Sequence, residues 1–253
     1  MINILLCGAN GKMGRAVTKA AAETPDVRIA AGYDINTTQA GGYPVYADFG
    51  EIKEEIDAVI DFSNPAVFDG LMEYAQEKGI PVIICTTGLS AEQTQKLKSA
   101  SEKIPVFFSA NMSIGVNLMI DLVSRAAKIL ESNFDIEIIE KHHNQKIDAP
   151  SGTALAIADA ISESVSYNPE YTYDRHSVRR KRDKNEIGIH AVRGGTIVGE
   201  HSVIFAGTDE VLEIKHQANS KEIFAVGAVK AAKFIVGKPN GMYNMSDVID
   251  AAE

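Results

Sequence analysis

The sequence predicts an α/β protein: a Rossmann-like, doubly wound parallel sheet plus a smaller α+β domain with a mixed, open β-sheet. Three observations carry this. Short, continuously apolar runs alternate with helical stretches in the first third of the chain, the pattern of strands covered on both faces. A glycine-rich loop follows the first run directly. From Glu186 onward the pattern turns to β, with glycine-containing turns between the runs.

Ile2–Cys7 reads as a buried strand, and residues 13–24 as a helix with Val17, Ala20 and Ala21 on its inner face. Residues 27–33 and 58–62 are the next strands. Residues 65–78 form a helix with Pro65 in its first turn, where a missing N–H costs nothing. Residues 81–85 are a strand, 91–103 a helix and 106–108 a strand. A long helix over 114–130 carries Leu118, Leu122 and Ala126 at a spacing of four, with Met119 and Val123 beside them. A strand over 135–141 and a helix over 153–166 follow. Residues 187–192, 197–206 and 211–217 are strands, turning at Gly194-Gly195 and Gly207-Thr208-Asp209, and residues 223–236 return to helix. We expect residues 1–111 together with 221–253 to bind a dinucleotide. Residues 112–220 are expected to bind substrate and support oligomerisation.

Charge and composition narrow the function. Lys and Arg number 25 against 34 Asp and Glu, a formal charge of −9, which argues against non-specific binding to nucleic acid or anionic membrane. Cys7 and Cys85 lie far apart in apolar runs and form no disulfide framework. No metal-ligand spacing accompanies them, so no metal is expected. The chain shows neither a secretory signal pattern nor a run near the ~18 apolar residues of a membrane span. A cytoplasmic protein is expected. The basic run from Arg175 to Lys184 reads as a solvated loop.

The loop Gly8-Ala9-Asn10-Gly11-Lys12-Met13-Gly14 joins the first strand to the first helix. Its glycines and helix start suit a pyrophosphate, although GxxGxxG is one residue longer than the usual spacing. Asp34, 20 residues beyond Gly14, ends the second strand, where an acid can accept from the adenosine ribose hydroxyls. Asp34 would repel a 2′-phosphate, whereas Lys12 and Arg15 could attract one. The expected cofactor is therefore NADH, or NADH and NADPH in dual use. Cys85-Thr86-Thr87-Gly88 and Ser109-Ala110-Asn111 end later strands and should face the nicotinamide.

The stretch from Glu140 to Ala154 is the most informative. His142 and His143 are adjacent at a strand end, Lys146 follows, and Ser151-Gly152-Thr153 opens a helix. Such a helix start offers unpaired N–H groups to a carboxylate. Histidine is the natural acid near neutral pH, and lysine adds a point charge and a possible proton donor. Taken alone, the same residues also fit a strand end, a helix cap and a turn.

The sequence resembles the 4-hydroxy-tetrahydrodipicolinate reductase (dihydrodipicolinate reductase) family over essentially the whole chain. The resemblance rests on the glycine loop, Ile60-Asp61-Phe62-Ser63, Thr86-Thr87-Gly88, Ala110-Asn111-Met112-Ser113 and Gly115-Val116-Asn117. It also rests on Glu137 to His143, on Lys146 to Ala154, on Val192-Arg193-Gly194-Gly195 and on Val198-Gly199-Glu200-His201. It implies reduction of a cyclic unsaturated imine dicarboxylate by NAD(P)H, in a homotetramer. His142 would be the proton donor and Lys146 a second acid that also holds substrate. His143 would contact one substrate carboxylate, with the N–H groups of Ser151, Gly152 and Thr153 around the other. Arg193 would lie near substrate or cofactor, and Met112 would join the cofactor loop. The family's Gly-Thr-Thr-Gly run has Cys85 at its first position here. Two other readings fit less of the chain: a non-catalytic NAD(H)-binding sensor, and another small dehydrogenase such as an aspartate dehydrogenase.

Overall fold

The computed structural model describes residues 1–251. In chain order the elements begin β1 (Ile2–Cys7), α1 (Lys12–Ala22), β2 (Val27–Tyr33), β3 (Val45–Tyr46), β4 (Ala58–Asp61), α2 (Phe68–Lys78), β5 (Val82–Ile84), α3 (Ala91–Ala100) and β6 (Pro105–Phe108). They continue with α4 (Ile114–Leu130), β7 (Asp135–His142), α5 (Gly152–Ser164), β8 (Glu170–Thr172), β9 (Glu186–Arg193), β10 (Gly199–Ala206) and β11 (Val211–Ala218). The chain closes with α6 (Glu222–Ile235), β12 (Gly241–Tyr243) and α7 (Met245–Asp250). It forms two compact units: Met1–Ile114 with Glu222–Glu253, and Gly115–Lys221.

The first unit is a seven-stranded sheet in the order β12-β6-β5-β4-β1-β2-β3, with every pair parallel. The order reverses at β1, so connections leave to opposite faces and a crevice opens beyond the strand ends. Side chains alternate between two cores. Ile4, Leu6, Ile60, Ile83 and Phe107 pack on one face with the helices α1 and α6. Leu5, Val59, Val82, Ile84 and Val106 pack on the other with α2 and α3. Both alternating sets are apolar, hence the unbroken apolar runs.

Several local signals set the helix ends. Ser90 and Gln93 form a capping box at α3. Gly79, at φ 67°, closes α2 in the left-handed region. The stretch predicted as one helix from 65 begins as a 3-10 turn, Pro65–Val67, capped by Asn64, before α2 starts at Phe68. The short edge strands β3 and β12 were not expected.

The second unit is a five-stranded mixed sheet in the order β11-β10-β7-β9-β8. β10 runs antiparallel to β7 and β11, while β9 runs parallel to β7 and β8. Ile136, Ile138, Ile187, Ile189, Val203 and Phe205 pack from the sheet onto α4 and α5. The α4 stripe differs from the expected one. Val116, Met119, Val123 and Ala127 are buried, while Leu118 and Leu122 remain 42% and 44% exposed. Two apolar stripes lie side by side on this helix, and spacing alone does not rank them.

The basic run lies in an exposed loop, as expected, but three of its arginines are paired with acids. Arg175 bonds Glu137 and Glu186, Arg180 bonds Glu186 and Asp183, and Arg182 bonds Glu137 and Asp135. Glu186 is buried, and a buried carboxylate requires such partners. The run satisfies the acids at the starts of β7 and β9.

Gly227 makes the sharpest packing demand. A Cβ there would lie 1.7 Å from the backbone oxygen of Met112, which no flexible side chain can relieve. Gly227→Ala should therefore lower unfolding stability by about 3 kcal/mol or more, measured from urea midpoints. An unchanged midpoint would contradict this packing.

Candidate active site

In the first unit the candidate nucleotide residues gather at the carboxyl ends of the parallel strands. Gly8 follows β1 at φ +78°, with its N–H donating to the Tyr33 oxygen at 2.8 Å. A Cβ on Gly8 would lie 2.6 Å from the Phe62 oxygen, and one on Gly14 would lie 2.2 Å from the Gly8 oxygen. These two glycines let strand, loop and helix pack closely. Gly11 differs: its Cβ would meet only the Gly8 oxygen, at 3.2 Å, so the space above it stays open. Gly11 is the N-cap of α1 and no side chain caps that helix. The Lys12 and Met13 N–H groups at the helix start thus suit an anion. The loop fits a dinucleotide pyrophosphate.

Asp34 closes the same corner. Its carboxylate accepts from the backbone N–H of Asn10 at 2.9 Å and of Asn36 at 3.0 Å. The Asn10 side chain donates to the carbonyls of Asn36 and Thr38, pinning residues 36–38 to the glycine loop. Each carboxylate oxygen keeps a lone pair for a ribose hydroxyl.

The loops after β5 and β6 share this edge. Thr86 is buried, Thr87 is exposed, and Gly88 sits at φ +78°. The Cys85 side chain packs against the apolar cluster, and burial, then the nearby Asp61 charge, push its thiol pKa well up. Asp61, buried at the end of β4, accepts from the Ser63 N–H at 3.0 Å and its hydroxyl at 2.5 Å. Burial raises its pKa despite these bonds. Ala110 is exposed, Met112 is buried, and the Asn111 side chain accepts from the Ser113 N–H at 2.9 Å.

In the second unit the centre is a residue that sequence reasoning did not assign. Glu140, near the end of β7, is fully buried. The Arg193 guanidinium, one strand away on β9, donates to both of its oxygens at 2.7 Å. His142 Nδ1 lies 2.7 Å from Oε2, and the Ser151 N–H donates to Oε1 at 3.0 Å. Burial alone would raise this carboxyl's pKa. Hydrogen bonds from Arg193, then His142 and the Ser151 backbone, outweigh it and hold the pKa below the usual value.

Strand register makes the cluster. His142 pairs with Arg193 across β7 and β9, and Glu140 pairs with His201 across β7 and β10. The His142 ring is buried and stands edge-on to His201 at 5.2 Å between centroids. Its Nε2 makes no hydrogen bond among the described residues. A Cβ on Gly199 would lie 3.1 Å from that nitrogen, so glycine keeps the approach open. β7 ends at His142, which frees half-buried His143 from strict strand alternation.

Two residues beside Glu140, Ser151 before α5 and Arg193 at the end of β9, depart from expectation. The Ser151 N–H points inward to Glu140 rather than outward, and the Ser151 hydroxyl caps α5 by accepting from the Ala154 N–H at 3.2 Å. Arg193 is likewise committed to Glu140 and to the carbonyls of Asp148 and Val192. A buried carboxylate must find donors, and these two supply three of its four hydrogen bonds. Lys146 pairs with Asp148 at 2.8 Å. That pairing first, with a smaller contribution from the Gly152 N–H, holds the Asp148 pKa down. A carboxylate thus already sits where Lys146 meets the helix start. Gly152 is exposed and Thr153 half-buried.

His201 is the second unassigned residue. Its Nε2 lies 3.1 Å from the Ser151 hydroxyl, and its Nδ1 is buried without a partner. Only the register of three strands brings Glu140, Arg193 and His201 together. Among the described residues, no three His, Cys, Asp or Glu are grouped to hold a metal ion, and no helix is long and apolar enough to cross a membrane.

Both units match one family. The description "Dihydrodipicolinate reductase, N-terminus" matches residues 2–112, and "Dihydrodipicolinate reductase, C-terminus" matches residues 115–249. The chain is similar to the 4-hydroxy-tetrahydrodipicolinate reductase of Caldanaerobacter subterraneus subsp. tengcongensis, 54% identical over 249 residues that cover 98% of each. It is 50% identical over 251 residues to that of Clostridium tetani, covering 99% of this chain and 98% of the relative. A solved dipicolinate-bound dihydrodipicolinate reductase from a Paenisporosarcina species shares the fold, with TM-score 0.80, 24% identity and 96% and 97% of the two chains covered.

Burial, then the charge of His142, lowers the His201 pKa from 6.5 to about 4. As pH falls below 6.5 the unfolded chain takes up this proton before the folded one does, so stability drops until about pH 4. The loss from this group is about 3 kcal/mol. Urea midpoints of His201→Asn should therefore fall less steeply with acid than those of the parent protein. Equal slopes would contradict the burial of a neutral His201.

Proposed function

The chain belongs to the dihydrodipicolinate reductase family, and we propose that its first unit carries the pyridine nucleotide while its second unit holds substrate and supplies the proton. It is an NAD(P)H-dependent oxidoreductase of diaminopimelate and lysine biosynthesis, converting 4-hydroxy-tetrahydrodipicolinate, which loses its hydroxyl as water to give the cyclic unsaturated imine, to tetrahydrodipicolinate. When bound, the nicotinamide supplies a hydride to C4 of the cyclic unsaturated imine. The chain's own residues bind, orient and protonate.

His142 delivers a proton from Nε2 to C3 of the enamine. The observation that carries this role is a buried imidazole anchored through Nδ1 to an ionised carboxylate, with Nε2 unmatched by any group among the described residues. Lys146 anchors a substrate carboxylate, which takes the place that Asp148 fills. Gly152, Thr153 and His143 contact the substrate carboxylates with it, and Lys146 is the second candidate acid. Ser151 shapes the helix start by capping, and Arg193 acts from behind, through Glu140. Two anchored carboxylates fix the ring and lower the entropy cost of reaching the transition state.

Gly8, Asn10, Gly11, Lys12, Met13 and Gly14 would hold the nucleotide pyrophosphate, and Asp34 would accept from the adenosine ribose. Thr86, Thr87, Gly88, Ala110, Asn111 and Met112 would line the nicotinamide end. The Asp34 carboxylate supports NADH, and the exposed Lys12 and Arg15 support dual use. The enzyme works in the cytoplasm as a homotetramer. Apolar exposure at Leu118, Leu122 and Ile129 of α4, and at Val192 and Val211 of the sheet, supports self-association.

The test supplies the product of dihydrodipicolinate synthase and follows oxidation of NADH and NADPH separately. Oxidation should occur and should be inhibited by pyridine-2,6-dicarboxylate; no oxidation of either nucleotide refutes the assignment. His142→Gln should lower kcat about 100- to 10,000-fold with the nucleotide Kd unchanged, and native turnover would remove His142 from the mechanism. Asp34→Ala should weaken NADH more than NADPH; equal losses would count against the ribose contact.

A further inference from the structure

Glu140 has no access to solvent, and each of its oxygens has two partners. Oε1 receives Arg193 Nη2 at 2.7 Å and the Ser151 N–H at 3.0 Å. Oε2 receives Arg193 Nη1 and His142 Nδ1, both at 2.7 Å. An arginine and a backbone N–H have only hydrogens to give, so the carboxyl is ionised and has none to return. His142 Nδ1 must then carry a hydrogen in every state of the ring. Protons come and go at Nε2 alone.

We infer that Glu140 is a positioning residue: it fixes the tautomer of His142, and its bond to Arg193 sets how tightly the imidazolium holds the proton it donates. The inference rests on His142 being the donor. A bare buried carboxylate beside the ring would stabilise the imidazolium and hinder release. Arg193 neutralises the carboxylate through a two-point fork, so orientation is kept without trapping the proton. The other charged or titratable groups around the pair are His201 on β10 and the Lys146–Asp148 pair before α5.

The experiment measures kcat against pH with saturating nucleotide. In Glu140→Gln, kcat should fall about 10- to 100-fold with nucleotide Kd and substrate KM retained, and the alkaline limb should move to lower pH. In Arg193→Gln the same limb should move to higher pH, because the unpaired carboxylate then acts wholly on the ring. Removing one partner strands a buried charge and can unfold the unit. The uncharged double variant Glu140→Gln/Arg193→Gln avoids that: kcat should fall as in Glu140→Gln, because the tautomer is no longer fixed, and the limb should move less, because the arginine charge is gone as well. Native kcat with an unmoved limb in either glutamine form of residue 140 overturns the inference. So does a raised substrate KM with an unmoved limb in Arg193→Gln, which is what direct substrate contact produces. Native turnover in His142→Gln instead removes the reading beneath it.

Discussion

A carboxylate without water dominates the second unit. Transferring an ionised carboxyl into an apolar interior is prohibitive unless its lone pairs are met. At Glu140 they are met from three directions: its own strand, the neighbouring β9 and the start of α5. That requirement fixes the end of β7 against the end of β9 and holds Ser151, the cap of α5. The same requirement explains why Ser151 and Arg193 face inward. Glu186 poses a comparable problem at the start of β9, solved by Arg175 and Arg180. Burial of an acid therefore does not mark function by itself. Glu140 differs because one partner is an imidazole whose second nitrogen is left open.

The first unit obeys a different constraint, close backbone approach. Gly8 and Gly14 admit no side chain, because the strand, loop and helix meet there at contact distance. What remains at the helix start is a set of N–H groups without a side-chain cap. On the proposed reading, these groups with Lys12 and Lys146 supply the local positive fields that a chain of net charge −9 needs for anionic ligands.

Much of this was readable in advance, for physical reasons. The central strands of the first unit have both faces buried, so β1, β4 and β5 appear as unbroken apolar runs. Asp34 and the glycine loop sit at a spacing that a βαβ unit imposes. The Lys146 to Ala154 stretch carried its own signature. Three things were hidden. β3, β8 and β12 are two or three residues long, too short for any periodicity. On α4 two apolar stripes compete, and only packing selected Met119, Val123 and Ala127. Glu140, Arg193 and His201 are neighbours only through strand register, which no local pattern encodes. The ion pairs of the basic run were illegible for the same reason, since the partners Asp135 and Glu137 lie about forty residues upstream.

Everything in the second unit turns on which nitrogen of His142 holds the permanent proton. Nitrogen NMR of the histidine-labelled enzyme, recorded across its active pH range, reads this directly. Nδ1 should stay protonated throughout while Nε2 alone titrates. A neutral ring carrying its proton on Nε2 would contradict the carboxylate anchor and the proton path built on it.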